Sequence, residues 1–151
     1  MAGVRIVAQT AEISTGTSKK TVLQLLAAAN HGVEINEWSI SFKGTSNTAS
    51  PILVEIIEQS TSGLSGDVLT VKKLNPGDDE IVQTTALKDI DGSTQPTDTA
   101  IKFSELVHPQ GGYTWQARFK GELKIPGGGR LGLAVTALAA INCVARFVGE
   151  E

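Results

Sequence analysis

Hydrophobic and polar positions alternate with a period of two along much of this chain. Across Asn36–Lys43, Trp38, Ile40 and Phe42 fall on one face, while Glu37, Ser39, Ser41 and Lys43 fall on the other. Tyr113, Trp115, Ala117 and Phe119 alternate with Thr114, Gln116, Arg118 and Lys120 in the same way. Leu131, Leu133, Val135 and Ala137 oppose Gly132, Ala134 and Thr136. Ile141, Cys143, Ala145 and Phe147 then oppose Asn142, Val144, Arg146 and Val148. Successive side chains of a strand point to opposite faces, so each segment reads as a half-buried strand of an antiparallel sheet with one wet face. Pro51–Gln59 and Ile101–Val107 read as further strands, and Val68–Lys72 and Ile81–Thr85 as weaker ones.

Two segments are ambiguous between helix and strand. Thr21–Asn30 and Thr136–Arg146 are rich in Ala and Leu, and Ser18 would serve as an N-cap for the first. Periodicity alone does not separate a short apolar helix from a buried strand. Strand is the reading adopted, because a lone ten-residue helix fits poorly into an otherwise all-β chain.

Turn signals are spread evenly between these segments: Asn30-His-Gly, Gly44-Thr-Ser-Asn, Ser62-Gly-Leu-Ser-Gly, Asn75-Pro-Gly-Asp-Asp, Gln110-Gly-Gly and Pro126-Gly-Gly-Gly. Short strands at such spacing predict a sandwich or barrel. About eight strands after residue 20 predict an all-β, antiparallel sandwich of jelly-roll type over 19–151. Ahead of it, Val4–Ile13 reads as an extended segment joined by a Ser/Thr/Gly linker, Ser14–Ser18, so that 1–18 forms an N-terminal arm and linker. That segment is either a ninth strand or an arm that adds to a neighbouring subunit's sheet edge. In the second case Val4, Ile6 and Ala8, or their alternates Arg5 and Val7, form the partner-binding contact. Deleting 1–14 would then leave a folded domain that no longer binds its partner.

Composition narrows the function. Thr, Val and Ile supply 39 of the 151 residues, a stock of branched β-carbons that suits strands. Charged residues are only 19%, and the formal charge is −3. A nucleic-acid binder working through a broad basic surface is therefore not expected, since phosphate affinity depends on clustered Lys and Arg. No apolar run approaches the roughly 20 residues of a membrane-spanning helix. No charged-then-apolar leader opens the chain, so no signal peptide is expected. Cys143 stands alone, which excludes an internal disulfide and a Cys-based zinc site.

Candidate chemistry is thin. Asp89-Ile-Asp91-Gly92-Ser93 begins like a calcium loop, but its glycine comes at the fourth position rather than the sixth, and the twelfth is Ala100. A polar turn is the better reading. Asp78-Asp79-Glu80 reads as a solvated turn able to meet a basic partner. Gly127-Gly128-Gly129-Arg130 lacks the Gly-Lys-Ser/Thr ending of a phosphate loop and leads into a strand, so it reads as a hairpin loop needing positive φ. No Ser or Cys sits in a nucleophile elbow, and Glu55 and Glu58 are three apart, on opposite faces of a strand. Cys143 falls on the core face as a small hydrophobe. No enzyme, cofactor or metal is expected. The aromatics Trp38, Phe42, Tyr113, Trp115 and Phe119 read as core, with a sugar-binding groove as the alternative.

A resemblance then enters. It is carried by Thr21-Val-Leu-Gln-Leu, Trp38-Ser-Ile-Ser-Phe-Lys-Gly-Thr-Ser46, Ala49-Ser-Pro-Ile-Leu-Val-Glu-Ile-Ile-Glu-Gln-Ser-Thr-Ser-Gly63, Val107-His-Pro-Gln-Gly111, Gly129-Arg-Leu-Gly132 and Arg146-Phe-Val-Gly-Glu-Glu. Together these segments resemble the jelly-roll head decoration, or cement, proteins of tailed bacteriophages. The likeness implies a structural virion protein, made in the host cytoplasm and placed on the capsid exterior. There it would form a homotrimer and bridge subunits of the major capsid protein, with no catalytic residues to carry over. The rival readings are a carbohydrate-binding, lectin-like jelly roll and a small cupin-like enzyme. The second would need about three converging His/Glu ligands, and the chain has two histidines.

Overall fold

The structure is a computed structural model, described over residues 3–151. Among these residues the strands are β1 (Arg5–Gln9), β2 (Ile13–Ser14), β3 (Lys20–Leu26), β4 (Val33–Phe42), β5 (Ile52–Gln59), β6 (Asp67–Leu69) and β7 (Lys72–Lys73). They continue with β8 (Thr85–Ile90), β9 (Asp98–Val107), β10 (Gly112–Gln116), β11 (Leu123–Ile125), β12 (Arg130–Thr136) and β13 (Asn142–Glu150). A single 3-10 turn, Gly92–Thr94, joins β8 to β9.

The strands form two antiparallel sheets. The front sheet runs β10-β4-β13-β1-β7, with β11 also along β4 and β2 along β13. The back sheet runs β6-β8-β3-β12-β5-β9. Setting aside the short strands and β8, eight long strands remain. In the front sheet their order is first, eighth, third, sixth; in the back sheet it is second, seventh, fourth, fifth. That is the winding of a jelly roll, and β6, β7 and β8 extend both sheets on the side away from β9 and β10.

This winding corrects the reading of the first residues. Val4–Ile13 is not an arm outside the sandwich. Its β1 is the first of the eight strands, paired with β13 on one side and β7 on the other. Beyond it, Thr10 exchanges backbone and side-chain hydrogen bonds with Ala145, and β2 continues along β13. The division at residue 18 is therefore no structural boundary.

Hydrophobic burial explains the register. Ile6 and Ala8 enter the core beside Leu23 and Leu25, Trp38 and Ile40, Val54 and Ile56, Leu133 and Val135, and Ala145 and Phe147. Each fully buried Leu, Ile or Phe contributes roughly 1.5–3 kcal/mol relative to exposure, and slipping a strand by one residue would turn its whole set outward. Thr21–Asn30 and Thr136–Arg146 hold no helix: the first lies mostly in β3, and the second is the end of β12, a turn and the start of β13.

Other boundaries differ from expectation. The Tyr113–Lys120 strand stops at Gln116, and Gly121 N–H closes a turn on Arg118 O with Lys120 at φ 59. Phe119, expected on the core face, is consequently 91% exposed. Ile81–Thr85 is not a strand; β8 begins only at Thr85 and carries Ile90 into full burial. Val68–Lys72 splits into β6 and β7, and β11 was not expected at all.

Candidate contact face

Directly opposed residues of antiparallel neighbours share a face, so the register places the five residues marked as a partner contact. Val4, Ile6 and Ala8 point inward and are at most 5% exposed. They belong to this chain's own core. Arg5 and Val7 point outward, with Gln9, on the outer face of the front sheet.

That outer face is built in rows across five strands, β1, β13 and β4 with β10 and β11 both along β4. Arg5, Glu150, Glu34 and Lys124 form one row. Val7, Val148, Glu37 and Gln116 form the next. Gln9, Arg146, Ser39 and Thr114 form the third, and Val144, Ser41 and Gly112 the fourth. Serines at alternate positions of β4 and short residues on β10 keep the third and fourth rows low, leaving a depression of about 290 Å³ beside Arg146.

Electrostatics on this face are paired. Lys124 Nζ sits 2.8 Å from Glu34, Arg146 lies 3.5 Å from Glu37, and Gln116 Nε2 donates to the same Glu37 oxygen at 3.4 Å. The Glu34 carboxylate holds the Lys124 ammonium above its usual range. At the rim, hydrogen bonds from Asn142 and Lys43 hold the Glu12 carboxyl below its usual range. Exposed pairs of this kind contribute little to stability, but they fix which charges a partner meets.

The aromatics gather elsewhere. Trp38 is fully buried and packs on Tyr113 and Phe103, with ring centroids 5.2 and 6.2 Å away. Trp115, half-buried, lies 5.0 Å from Phe103. These rings join the edge strands β9 and β10 across the sandwich, and they do not form an exposed platform.

The other candidates resolve simply. Gly128 takes φ 77 as expected, but not in a hairpin: the tight turn, in which Gly129 N–H donates to Pro126 O at 2.8 Å, carries the chain from β11 in the front sheet to β12 in the back sheet. Asp91 and Thr94 belong to the 3-10 turn, and Ile90 between the two aspartates is buried. Asp89 and Asp91 both bind the Lys20 ammonium, Asp91 at 3.0 Å, and Ser14 O accepts from it at 3.0 Å. Burial alone would lower the Lys20 pKa, but the hydrogen bonds its ammonium donates to the two aspartates, with their charge, outweigh it and raise it. Cys143 lies in the core, where desolvation pushes its thiol up to about 12. His31 lies in the β3–β4 loop, and the His108 ring accepts a hydrogen bond from Gln110 N–H. Among the described residues no group of three His, Cys, Asp or Glu is placed to hold a metal ion.

No known protein family, curated protein or solved structure matches this chain. The outer face offers hydroxyl, carboxamide and paired charged groups over five strands. That suits a broad polar contact with another protein surface.

Proposed function

We propose that this protein is a structural virion component, a decoration or cement protein on the outer face of an icosahedral phage capsid. It would stabilise contacts between major capsid subunits, as a homotrimer at threefold positions. The sequence resemblance to phage head decoration proteins motivates the reading. The observation that carries it is the outer face of the front sheet, a firmly backed polar surface whose rows run from Arg5 to Lys124 and from Gln9 to Thr114. A flat face of modest contacts works when many copies sit on one shell, because multivalency multiplies weak terms.

The test is cosedimentation of the purified protein with phage heads lacking their decoration. The expected result is saturable binding that Ser39→Arg combined with Thr114→Arg, two exposed-face changes, reduces at least several-fold. Heads that bind the variant as well as the parent would remove this face from the contact; heads that bind neither would remove the function.

A carbohydrate-binding jelly roll is the second reading. The depression lined by Gln9, Ser39, Ser41, Thr114 and Arg146 favours it, since such groups hydrogen-bond sugar hydroxyls. Burial of Trp38 and packing of Trp115 on Phe103 remove the aromatic platform it would use. Binding on a glycan array, lost in the same variant, would favour it over the capsid reading.

A further inference from the structure

Two surface features extend beyond the contact face. The first is the turn between β10 and β11, where Arg118, Phe119 and Lys120 are all exposed. Phe119 is the most exposed large hydrophobic residue of those described, at 91%, and the Lys120 ammonium stands 5.5 Å from its ring centre. Lys120 adopts φ 59, a left-handed conformation disfavoured for residues other than glycine by roughly 1–2 kcal/mol. A strained turn that displays an apolar ring between two cations calls for a use.

The second feature is an open cleft of about 740 Å³ at one end of the sandwich. Its floor is apolar, formed by Val4, Val33 and Ile125. At its lip stands Ile81, 80% exposed. Around this apolar surface stand four carboxylates, Glu34, Glu80, Glu150 and Glu151, against a single lysine, Lys124. Glu151 is tied to Gln83 and Thr84, and Glu150 to the Gly3 N–H, so the wall is held in place. The cleft is therefore apolar within and acidic around its edge, the converse of the turn.

We propose that two copies of this chain associate head to tail, the Arg118-Phe119-Lys120 turn of one seating in the Glu34–Glu80–Ile81 cleft of the next. Phe119 meets the apolar floor and covers Ile81, and the flanking cations meet the carboxylates of the rim. Charge complementarity selects this occupant: the chain is acidic overall, yet it presents two cations beside its most exposed ring. The turn and the cleft are different surfaces, so the contact is heterologous. Repetition gives a ring if the rotation closes and an open chain if it does not. The cleft shares Glu34, Lys124 and Glu150 with the first row of the contact face, so the test is made without heads and its outcome is independent of the capsid reading.

Sedimentation equilibrium of the purified protein, without heads, tests it. The parent is expected to gain mass with concentration through the micromolar range, and to lose association as salt is raised. Phe119→Ser spoils the turn and leaves the cleft; Glu80→Lys with Ile81→Lys spoils the cleft and leaves the turn. Each is expected to weaken self-association about tenfold or more, as loss of a central contact residue does. All three positions are exposed, so unchanged circular dichroism and unfolding midpoints establish that the variants fold. An equimolar mixture of the two retains one intact turn and one intact cleft, and it should form a dimer and nothing larger. A parent that stays monomeric at several hundred micromolar overturns the proposal. So does a variant that assembles like the parent, or a mixture that gains no mass over its components.

Discussion

Gly132 leaves the space that the Gln59 carboxamide fills: a β-carbon at Gly132 would fall on that group. Gln59 cannot easily move aside. Its Oε1 accepts from Gln24 at 2.8 Å, and its Nε2 donates to Thr21 Oγ1 at 3.2 Å and to Asp98 at 3.1 Å. Gln24 also donates to Thr61 O at 2.9 Å, which ties the 60–66 loop over the outer face of the back sheet. Glycine within a strand is ordinarily replaced by alanine at a gain. Here Gly132→Ala should cost about 1–3 kcal/mol, because the methyl overpacks the site or strands a buried amide. Urea unfolding of the variant measures it, and a stabilised Gly132→Ala would show that Gln59 yields freely.

The placement of β1 reverses the expected outcome of N-terminal truncation. Removing residues 1–14 takes away β1 and β2 and exposes the flank of β13. Such a chain should fail to give a cooperative unfolding transition by circular dichroism. Ile6→Ala, a milder change at a side chain 2% exposed, should cost about 2–5 kcal/mol. A truncated protein with the parent's midpoint would mean that the strand is dispensable.

Alkaline pH should destabilise the fold through two groups. The Cys143 thiol stays protonated in the folded chain up to about pH 12, whereas an unfolded cysteine ionises near about 8.5. Between those values the unfolded state has released a proton that the folded state retains, so stability falls by at most about 1.4 kcal/mol per pH unit. Lys20 acts in the same direction at higher pH. Its folded pKa is raised, so its ion pairs contribute fully below the usual lysine range and are lost as pH climbs through the raised value. Denaturant midpoints followed from pH 7 to pH 10 should decline more in the parent than in Cys143→Ala. Equal slopes would contradict the role given to the thiol.

Trp115 and Phe119 lie four residues apart, and the sequence pattern treats them alike. The structure separates them. Trp115→Ala removes a half-buried ring packed on Phe103 and should cost about 2–4 kcal/mol. Phe119→Ala removes a ring that touches no core residue and should stay within about 0.5 kcal/mol. Matching losses for the two would return the turn to the core.

Where sequence pattern reflects one buried face, it was legible. The Trp38, Ile40, Phe42 alternation marks β4 because its other face, with Ser39 and Ser41, is open to solvent. β3 was ambiguous because both of its faces are covered. Val22, Leu23, Gln24 and Leu25 are all buried, the outer ones beneath the 60–66 loop, so no alternation survives. The end of β10 was missed because Ala117 and Phe119 continue the period past the point where the backbone turns. Gly121, in the closing position of that turn, was the available signal. β1 was misplaced because its partner is β13, and pairing between remote segments leaves no mark in local periodicity. For the same reason the contact face was half visible. Arg5 and Val7 were marked, but Gln9, Ser39, Thr114 and Arg146 come from four strands and meet only through register.

That remote pairing also bears on how the protein is made. Ile6 faces Gly149 and Ala8 faces Phe147, so the central ladder of the front sheet joins segments separated by nearly all of the described chain. On a ribosome, residues 5–9 emerge long before β13 and must wait, with Ile6 and Ala8 uncovered, until it follows. Folding of this sandwich is therefore of high contact order, slow to nucleate and open to aggregation while β1 waits for its partner.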